Sequence, residues 1–207
     1  MDNQGVLAVI SGFSGAGKGT LMRALLERYD NYALSISATT RAPREGEVDG
    51  REYFFKTREE FEQMIEHDEL VEYAQYVGNY YGTPKEYVFS NLKAGKDVLL
   101  EIEIQGALKI KKKFPEAVLV FVTAPSMEVL RERLVGRGTE TAEVIHQRLA
   151  RAAQECAYMD QYDYIVINDD LDVCVEQIHG LIQALHWKCV NQQGQIAKMK
   201  GEFANKA

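Results

Sequence analysis

The glycine-rich segment from Gly12 to Thr20 has the composition of a phosphate-binding loop. It follows a short apolar run, Leu7 to Ser11, which predicts a buried strand, and it precedes a helical pattern from Leu21 to Tyr29. Glycines let the backbone turn tightly, so that several N–H groups point toward one anion. Lys18 adds a full positive charge, and the N-terminus of the helix adds a partial one. The segment therefore predicts a site for the phosphates of a nucleoside triphosphate.

One position of this loop departs from the usual pattern. The residue after Lys18 is Gly19, where such loops carry a Ser or Thr whose hydroxyl binds Mg²⁺. Thr20 follows, but it lies about 100° further around the helix. Because the backbone binds the phosphates, their binding is unaffected. We expect Mg²⁺ to be held by phosphates, water and acidic residues elsewhere.

A second candidate anion site lies in the polar loop from Thr39 to Glu47, where Arg41 and Arg44 flank Pro43. Guanidinium groups bind phosphate oxygens in pairs, so two arginines beside a stiff proline fit a phosphate ligand. Taken alone, the same residues fit a solvated, charged loop equally well.

Two acidic residues, Glu101 and Glu103, come at the end of a predicted strand from Val98 to Ile104. Residues two apart on a strand point to the same side, and ligands of α/β proteins bind where parallel strands end. The pair is thus a candidate for nucleotide or Mg²⁺ contacts. An exposed acidic pair without a ligand is the alternative.

Strand and helix patterns alternate at both ends of the chain, which predicts an α/β fold with a parallel sheet. Val98–Ile104 and Ala117–Ala124 begin as nearly continuous apolar runs, which is typical of strands covered on both faces. The stretch from Ser37 to Gly95 has short strands and loops instead, and predicts an inserted lobe. The residues after Trp187 are polar with little periodicity, and predict a loose tail.

Composition argues against several classes of protein. The 207 residues include 24 Lys and Arg against 31 Asp and Glu, for a net charge of −7. A nucleic-acid polymer or an anionic membrane would favour an excess of basic residues, so neither is an expected partner. No apolar run approaches the ~20 residues that span a bilayer. The first residues lack the pattern of a secretory leader, so we expect a cytoplasmic location.

Several ordered motifs together resemble the guanylate kinase family, a group of P-loop nucleoside monophosphate kinases. The resemblance runs from about Leu7 to Leu185. The motifs are S-G-F-S-G-A-G-K (11–18), T-T-R-A-P-R-E-G-E-V-D-G-R-E-Y (39–53), G-N-Y-Y-G (78–82), G-R-G-T-E (136–140) and V-I-N-D-D (166–170). The resemblance implies a P-loop NTPase-type parallel β-sheet core flanked by helices, with an inserted small mixed α/β GMP-binding lobe and a short lid.

The resemblance also implies the organisation and the reaction. It predicts one domain over residues 1–190, with a core at about 5–36 and 96–190, a GMP-binding lobe at about 37–95 and a lid at about 137–142. Residues 191–207 form a polar C-terminal tail. The implied reaction is ATP + GMP = ADP + GDP with Mg²⁺, an in-line phosphoryl transfer that belongs to purine metabolism and the supply of GTP.

The family pattern implies roles for individual residues. The ATP-binding positions are Gly12, Phe13, Ser14, Gly15, Ala16, Gly17, Lys18, Gly19, Thr20 and Asn168. The GMP-binding positions are Ser37, Arg41, Arg44, Glu47, Tyr53, Glu72, Tyr81, Gly82, Thr83 and Glu101. The catalytic positions are Lys18, Arg41, Arg133, Arg137 and Arg148. Glu103 is a candidate metal contact, made through water. Many members of the family have Asp at both of these positions, whereas this chain has Glu101 and Glu103, so the division of nucleotide and Mg²⁺ contacts between the two acids stays open.

The chemistry of guanine independently fits Glu72. Guanine presents N1–H and N2–H₂ donors on one edge, and one carboxylate can accept both. Adenine has an unprotonated N1 there, which would leave the buried carboxylate without a partner at a cost of a few kcal/mol. No motif clearly reads the ribose 2′-hydroxyl, so we also expect use of dGMP.

Two other functions compete with this interpretation. The first is a kinase for another monophosphate such as AMP or dTMP, because Gly-Lys-Gly-Thr at 17–20 also resembles adenylate kinases. Glu72 and the block from Thr39 to Tyr53 argue against it. The second is a guanylate kinase-like module that binds peptides without catalysis, against which the presence of Lys18 and the three arginines argues. The sequence does not predict an oligomeric state.

Overall fold

The computed structural model describes residues 4–76, 78–136, 138 and 141–204, which form two β-sheets and eight helices. The strands are β1 (Leu7–Gly12), β2 (Tyr32–Leu34), β3 (Ala38–Thr39), β4 (Phe54–Phe55), β5 (Leu70–Tyr76), β6 (Asn79–Pro84), β7 (Asp97–Glu101), β8 (Val118–Thr123) and β9 (Tyr164–Ile167). The helices are α1 (Lys18–Arg28), α2 (Arg58–Glu66), α3 (Lys85–Lys93), α4 (Ile104–Lys113), α5 (Met127–Gly136), α6 (Ala142–Glu155), α7 (Leu171–His186) and α8 (Gln193–Ala204), with 3-10 turns at Cys156–Gln161 and Cys189–Gln192.

The large sheet has the strand order β2-β7-β1-β8-β9, and all its strands are parallel. The three central strands are almost fully buried, as continuous apolar runs covered on both faces must be. This confirms the predicted α/β class with a parallel core flanked by helices. The register pairs Ile10 with Glu101 and Val120, so the loop after β1 begins beside the end of β7.

The small sheet has the order β4-β3-β6-β5 and lies in the sequence between β2 and α3. Its strands β5 and β6 form an antiparallel hairpin, and it has a core of its own built on Ala38, Phe61 and Leu70. Helix α2, which carries Phe61, begins with a capping box in which Thr57 and Glu60 satisfy each other's backbone N–H groups.

Helix α4 connects the two sheets. It packs on β5, and its Lys113 donates to Asp68 Oδ1 at 2.8 Å in the turn before that strand. Lys85, at the start of α3, bonds the other oxygen of the same carboxylate. These two lysines lower the pKa of Asp68 to about 2. This ionic contact therefore links α3 and α4 to the turn before β5.

A buried carboxylate at the start of β7 links the residues before β1 and β2 to the end of α7. Asp97 is 1% exposed and accepts hydrogen bonds from Val6 N at 2.8 Å and Asn31 Nδ2 at 3.0 Å. Its Oδ1 also lies 2.8 Å from His186 Nε2 at the end of α7. Buried carboxylates need several such partners, and here the partners come from three separate parts of the chain.

Two expectations about the elements were wrong. The strand predicted over 98–104 ends at Glu101, and Ile104 begins α4. The reason is that Ile104, Ala107 and Ile110 are buried at helical spacing, which outweighs the β-branched residues of 102–104. The tail is not loose, because Gln193–Ala204 forms α8 from good helix formers, although none of its residues is buried. In the described part of the chain, no helix is long and apolar enough to cross a bilayer.

Candidate active site

The side chain of Lys18 binds back to the backbone of the loop between β1 and α1. The Nζ atom of Lys18 donates to the carbonyl oxygens of Gly12 at 2.8 Å and Phe13 at 3.1 Å, so the charge lies at the loop. Gly17 has φ 87° and ψ 16°, a left-handed conformation that starts α1 without a side-chain cap. The first turn of α1 carries no acidic residue, so its N–H groups remain suited to an anion.

Two side chains from distant elements support this loop. Asn168, buried at the end of β9, donates from Nδ2 to Ala16 O at 2.8 Å. Arg148 of α6 donates from Nη1 to Ser14 Oγ. The sequence predicts Asn168 as an ATP contact and Arg148 as a catalytic arginine, and the structure places both side chains against the phosphate loop.

Gly19 and Thr20, the next two loop positions, are both exposed. Both lie in the first turn of α1, where the backbone N–H groups are the donors suited to a phosphate.

Glu101 lies within electrostatic reach of Lys18. The residue is partly exposed, yet desolvation by the surrounding protein raises its pKa, while the charge of Lys18 lowers it. The end of β7 therefore places a carboxylate beside the loop lysine, as the sequence predicted for a residue at the end of a parallel strand.

Residues of the predicted second anion site lie around Arg41. Its Nη2 lies 2.9 Å from both carboxylate oxygens of Glu47, and its guanidinium carbon lies 5.3 Å from the centre of the Tyr53 ring. Tyr53 meets Tyr81 edge to face, with ring centres 6.0 Å apart. The structure therefore brings these four predicted residues together, three from the loop between β3 and β4 and Tyr81 from β6.

Electrostatics keep the Arg41 cluster charged. The hydrogen bonds to Glu47 are the main cause of the raised pKa of Arg41, with a smaller contribution from Tyr81. The pKa of Glu47 is lowered chiefly by the backbone N–H of Arg44, which donates to Oε2 at 2.8 Å, and then by Arg41. The Arg44 side chain itself is exposed, so its guanidinium faces solvent near the cluster.

Glu72 and Thr83 form the candidate base-reading pair. Thr83 is buried, and its Oγ1 donates to Glu72 Oε1 at 2.9 Å across the β5–β6 hairpin. Burial is the main cause of the raised pKa of Glu72, and the Thr83 hydroxyl and Lys109 oppose it. Gly82 permits this pairing, because a Cβ there would lie 2.8 Å from the Glu72 carbonyl oxygen.

Ser37, the remaining predicted base contact, directly precedes β3. Its carbonyl oxygen accepts from Phe54 N at 2.9 Å, which joins β3 to β4. Its side chain is half-buried, and because Ala38 pairs with Gly82 in antiparallel register, Ser37 lies at the end of β3 that faces Thr83.

The three predicted lid arginines have different surroundings. Arg148 contacts the phosphate loop as described above. Arg133 is half-buried on α5, and its charge acts on the buried thiol of Cys174 in α7, whose pKa burial raises to about 11. Arg137 lies outside the described residues. Within the predicted lid over 137–142, Gly138 N donates to Val135 O at 3.1 Å, and Thr141 caps α6 by accepting from Val144 N.

Comparison with known proteins decides the family. The family model described as "Guanylate kinase" matches residues 4–185.

The chain belongs to the guanylate kinase family.

The similarity extends to whole relatives of this family. The chain is 54% identical to the guanylate kinase of Halalkalibacterium halodurans over 89% of this chain and 91% of that protein. It is 58% identical to the guanylate kinase of Caldanaerobacter subterraneus over 87% of this chain and 88% of that protein. The crystal structure of guanylate kinase from Anaplasma phagocytophilum superimposes with a TM-score of 0.70 at 35% identity, covering 90% of this chain and 88% of that one.

Glu103, the predicted metal contact, has a different partner in this member of the guanylate kinase family. It occupies the N-cap position of α4 and forms an ion pair with Arg151, which also bonds Glu155 at 2.9 Å. Within the described residues, no group of three or more His, Cys, Asp or Glu side chains converges on one point. The described residues thus offer no preformed cage for a divalent cation.

Sequence reasoning missed three residues around these sites. Arg151 forms an ion pair with Glu103, and Gly106 and Lys109 of α4 lie near Glu72. Gly106 is part of the Gln-Gly pair at 105–106 in the sequence. Its place on the same helix face as Lys109 follows only from the structure, because β7 ends at Glu101 and α4 begins at Ile104. Two lysines at the end of α4 also form ion pairs, Lys111 with Asp163 at 2.8 Å and Lys113 with Asp68.

Proposed function

We propose that this protein transfers the γ-phosphoryl group of ATP to GMP and forms ADP and GDP. The observation that carries the proposal is the position of the segment from Glu101 to Gly106. At one end it adjoins the loop lysine, and at the other it adjoins Glu72 of the small sheet. A triphosphate at the loop and a guanine at Glu72 would therefore have their phosphates between them. Membership of the guanylate kinase family supports the same reaction.

ATP would bind with its outer phosphates in the loop after β1. The loop N–H groups and the start of α1 provide donors, and Lys18 would leave its carbonyl partners to follow the charge of the β- and γ-phosphates. Asn168 donates a hydrogen bond to Ala16 O of the loop, so part of its proposed role in ATP binding is to hold the loop in its conformation.

The GMP phosphate would bind at the Arg41 cluster. Arg41, Tyr53 and Tyr81 already lie together, and Arg44 is exposed beside them. In the absence of phosphate, Glu47 balances the charge of Arg41 and fixes its orientation. We infer that Glu47 prepares this guanidinium, because a side chain held in place loses less entropy when the ligand arrives.

The guanine would be read by Glu72, Thr83 and Ser37. An ionised Glu72 accepts from N1–H and N2–H₂, and its Oε1 is already oriented by the Thr83 hydroxyl. Adenine would set an N1 lone pair against that carboxylate and leave it unpaired in a half-buried position, at a cost of a few kcal/mol. We propose that dGMP is also accepted, because none of these residues is assigned to the 2′-hydroxyl.

The transfer itself needs positive charge and alignment more than a base. The attacking phosphate oxygen of GMP is already anionic, so no general base has to remove a proton. Lys18, Arg41 and Arg148 would neutralise the approaching phosphates, and we assign Arg133 and Arg137 the same task from α5 and the lid. Closure of the cleft when both nucleotides bind would exclude water and suppress hydrolysis of ATP.

We propose Mg²⁺ as the cation that accompanies ATP. The described residues form no cage for it, and Gly19 lacks the hydroxyl usual at that place, so phosphates and water must supply most of its ligands. Glu101 is the carboxylate best placed to hold one of those waters, since it lies beside Lys18. When bound, the ion withdraws charge from the transferring phosphoryl group.

The test is a coupled assay of ADP formation from MgATP with GMP, dGMP, AMP, dTMP, UMP and CMP supplied separately. We expect turnover with GMP and dGMP, and values of kcat/KM at least ~100-fold lower with the others, which corresponds to about 3 kcal/mol. Turnover with a different monophosphate would contradict the base-reading argument. No turnover with any of them, from folded protein, would favour a peptide-binding module.

The variant Glu72→Gln sharpens this assay. It keeps one acceptor and presents an amide N–H₂ to a guanine donor, so we expect kcat/KM for GMP to fall about 100-fold with little change in KM for ATP. Glu66→Gln is the matched control, because Glu66 is an exposed residue of α2 in the same part of the chain. Equal losses in the two variants would contradict the assignment.

A further inference from the structure

One face of α4 lies directly against the Glu72 carboxylate. A Cβ built on Gly106 would lie 3.3 Å from Glu72 Oε2 and 3.3 Å from Ile102 Cδ1, so the absence of a side chain leaves the carboxylate its place. Lys109 follows three residues later on the same helix face and lines a cavity of about 290 Å³ together with Glu72. Because Thr83 holds Oε1, the carboxylate has neighbours on both oxygens.

The charges around this cavity leave Lys109 as the counter-ion for Glu72. The other charged residues lining it are Asp68 and Lys113, which are 2.8 Å apart and pair with each other. Lys109 is exposed and forms no hydrogen bond within the described residues, and its charge lowers the pKa of Glu72 against the effect of burial. The α4 face therefore provides both the space and the positive charge for a buried carboxylate.

We propose that Gly106 and Lys109 are positioning residues for guanine selection. Gly106 leaves room for the Glu72 carboxylate at the place where it meets the base, and Lys109 keeps that carboxylate ionised. This inference rests on the proposed role of Glu72 as the guanine reader and extends it to α4. Both residues act through Glu72, and neither is required to touch GMP.

The proposal predicts a direction for the dependence on pH. Only an ionised Glu72 accepts both guanine donors, so the affinity for GMP falls when the pH drops through the pKa of Glu72. Burial has already moved that pKa upward, and removal of the Lys109 charge moves it further. The loss of GMP affinity then begins at a higher pH in a Lys109 variant than in the wild type.

The first experiment compares Lys109→Gln, Lys109→Arg and Lys112→Gln with the wild type. Lys112 is the matched control, because it is an exposed lysine of the same helix that does not line the cavity. In Lys109→Gln, we expect the acid limb of the pH profile of kcat/KM for GMP to shift to higher pH by about half a pH unit, because one exposed counter-charge is lost. We expect no such movement in Lys109→Arg or Lys112→Gln, and an unchanged KM for ATP in all three.

The second experiment uses Gly106→Ala. A methyl group there requires Glu72 Oε2 to shift by a few tenths of an ångström, and we expect KM for GMP to rise about fivefold while KM for ATP stays unchanged. A merely structural role would give a different result, because alanine favours the helix and would raise the thermal midpoint without changing KM. An unchanged KM for GMP would overturn the role of Gly106.

A direct titration separates this inference from the proposed function. The pKa of Glu72 is measured by carboxyl ¹³C NMR in the unliganded wild type, Lys109→Gln and Lys112→Gln. A higher pKa only in Lys109→Gln supports the proposal, and equal values in the two variants overturn it, whatever the activity is. If the wild type fails to phosphorylate GMP, the proposed function fails, while the titration still decides whether Lys109 holds Glu72 ionised.

Discussion

Replacement of Gly17 or Gly19, two glycines of the phosphate loop, by alanine is expected to change the stability of the protein in opposite directions. Gly17 is left-handed with φ 87°, and a Cβ there would lie 2.6 Å from Asn168 Nδ2. Gly19 is the second residue of α1, and a Cβ there would meet nothing within 4 Å. The same chemical change two residues apart therefore tests the loop geometry itself.

The magnitudes follow from these contacts. In Gly17→Ala, a left-handed non-glycine residue costs about 1 kcal/mol. Asn168 must also move and give up its bond to Ala16 O, and a buried polar group left unpaired costs about 2 kcal/mol more. In Gly19→Ala, the helix gains about 0.5–1 kcal/mol, because the unfolded chain loses freedom.

Urea denaturation followed by circular dichroism measures both variants, with thermal unfolding as a second readout. At about 2–4 °C per kcal/mol for a chain of this size, we expect Gly17→Ala to lower the thermal midpoint by roughly 6–12 °C and Gly19→Ala to raise it by about 2 °C. A Gly17→Ala variant within ~1 kcal/mol of the wild type would refute the argument that Asn168 and the left-handed turn hold this loop. Equal destabilisation by both variants would refute it as well.

Two further predictions concern carboxylates outside the nucleotide sites. Asp97→Ala leaves buried donors and His186 without their acceptor, and we expect a loss of about 3–5 kcal/mol in the free energy of unfolding in urea. Asp68 has a pKa lowered from 3.8 to about 2 by Lys113 and Lys85, so its contribution to stability is present above its unfolded pKa and is lost as the pH falls toward 2. The free energy of unfolding of Asp68→Asn should therefore fall less steeply than that of the wild type as the pH decreases from about 4 to 2. Identical slopes would contradict the ionic contact.

Much of the fold and the nearer parts of the site could be predicted because the sequence signals are local. Gly12 to Thr20 requires a strand before it and a helix after it, and both are present. The apolar runs that form β1, β7 and β8 are typical of the strands of a buried parallel sheet. Family motifs then pointed to Arg41 and Glu72, and the structure places these residues in polar clusters.

The remaining features depend on contacts between distant residues. Nothing near Glu103 in the sequence indicates that Arg151 will pair with it, 48 positions away. The extent of β7 was overestimated, because β-branched residues at 102 and 104 suit a strand as well as the start of a buried helix. The helical C-terminal segment was missed because its apolar residues follow no clear period, and its helix buries none of them.

The central claim is that the phosphoryl group passes from ATP to GMP and not to water. The most direct measurement is ³¹P NMR of the protein with MgATP and GMP, followed to completion. We predict the decline of the GMP resonance and the appearance of GDP and ADP β-phosphate resonances in equal amounts, with little inorganic phosphate. Accumulation of inorganic phosphate with unchanged GMP would contradict the account, since the protein would then hydrolyse ATP without using the second site.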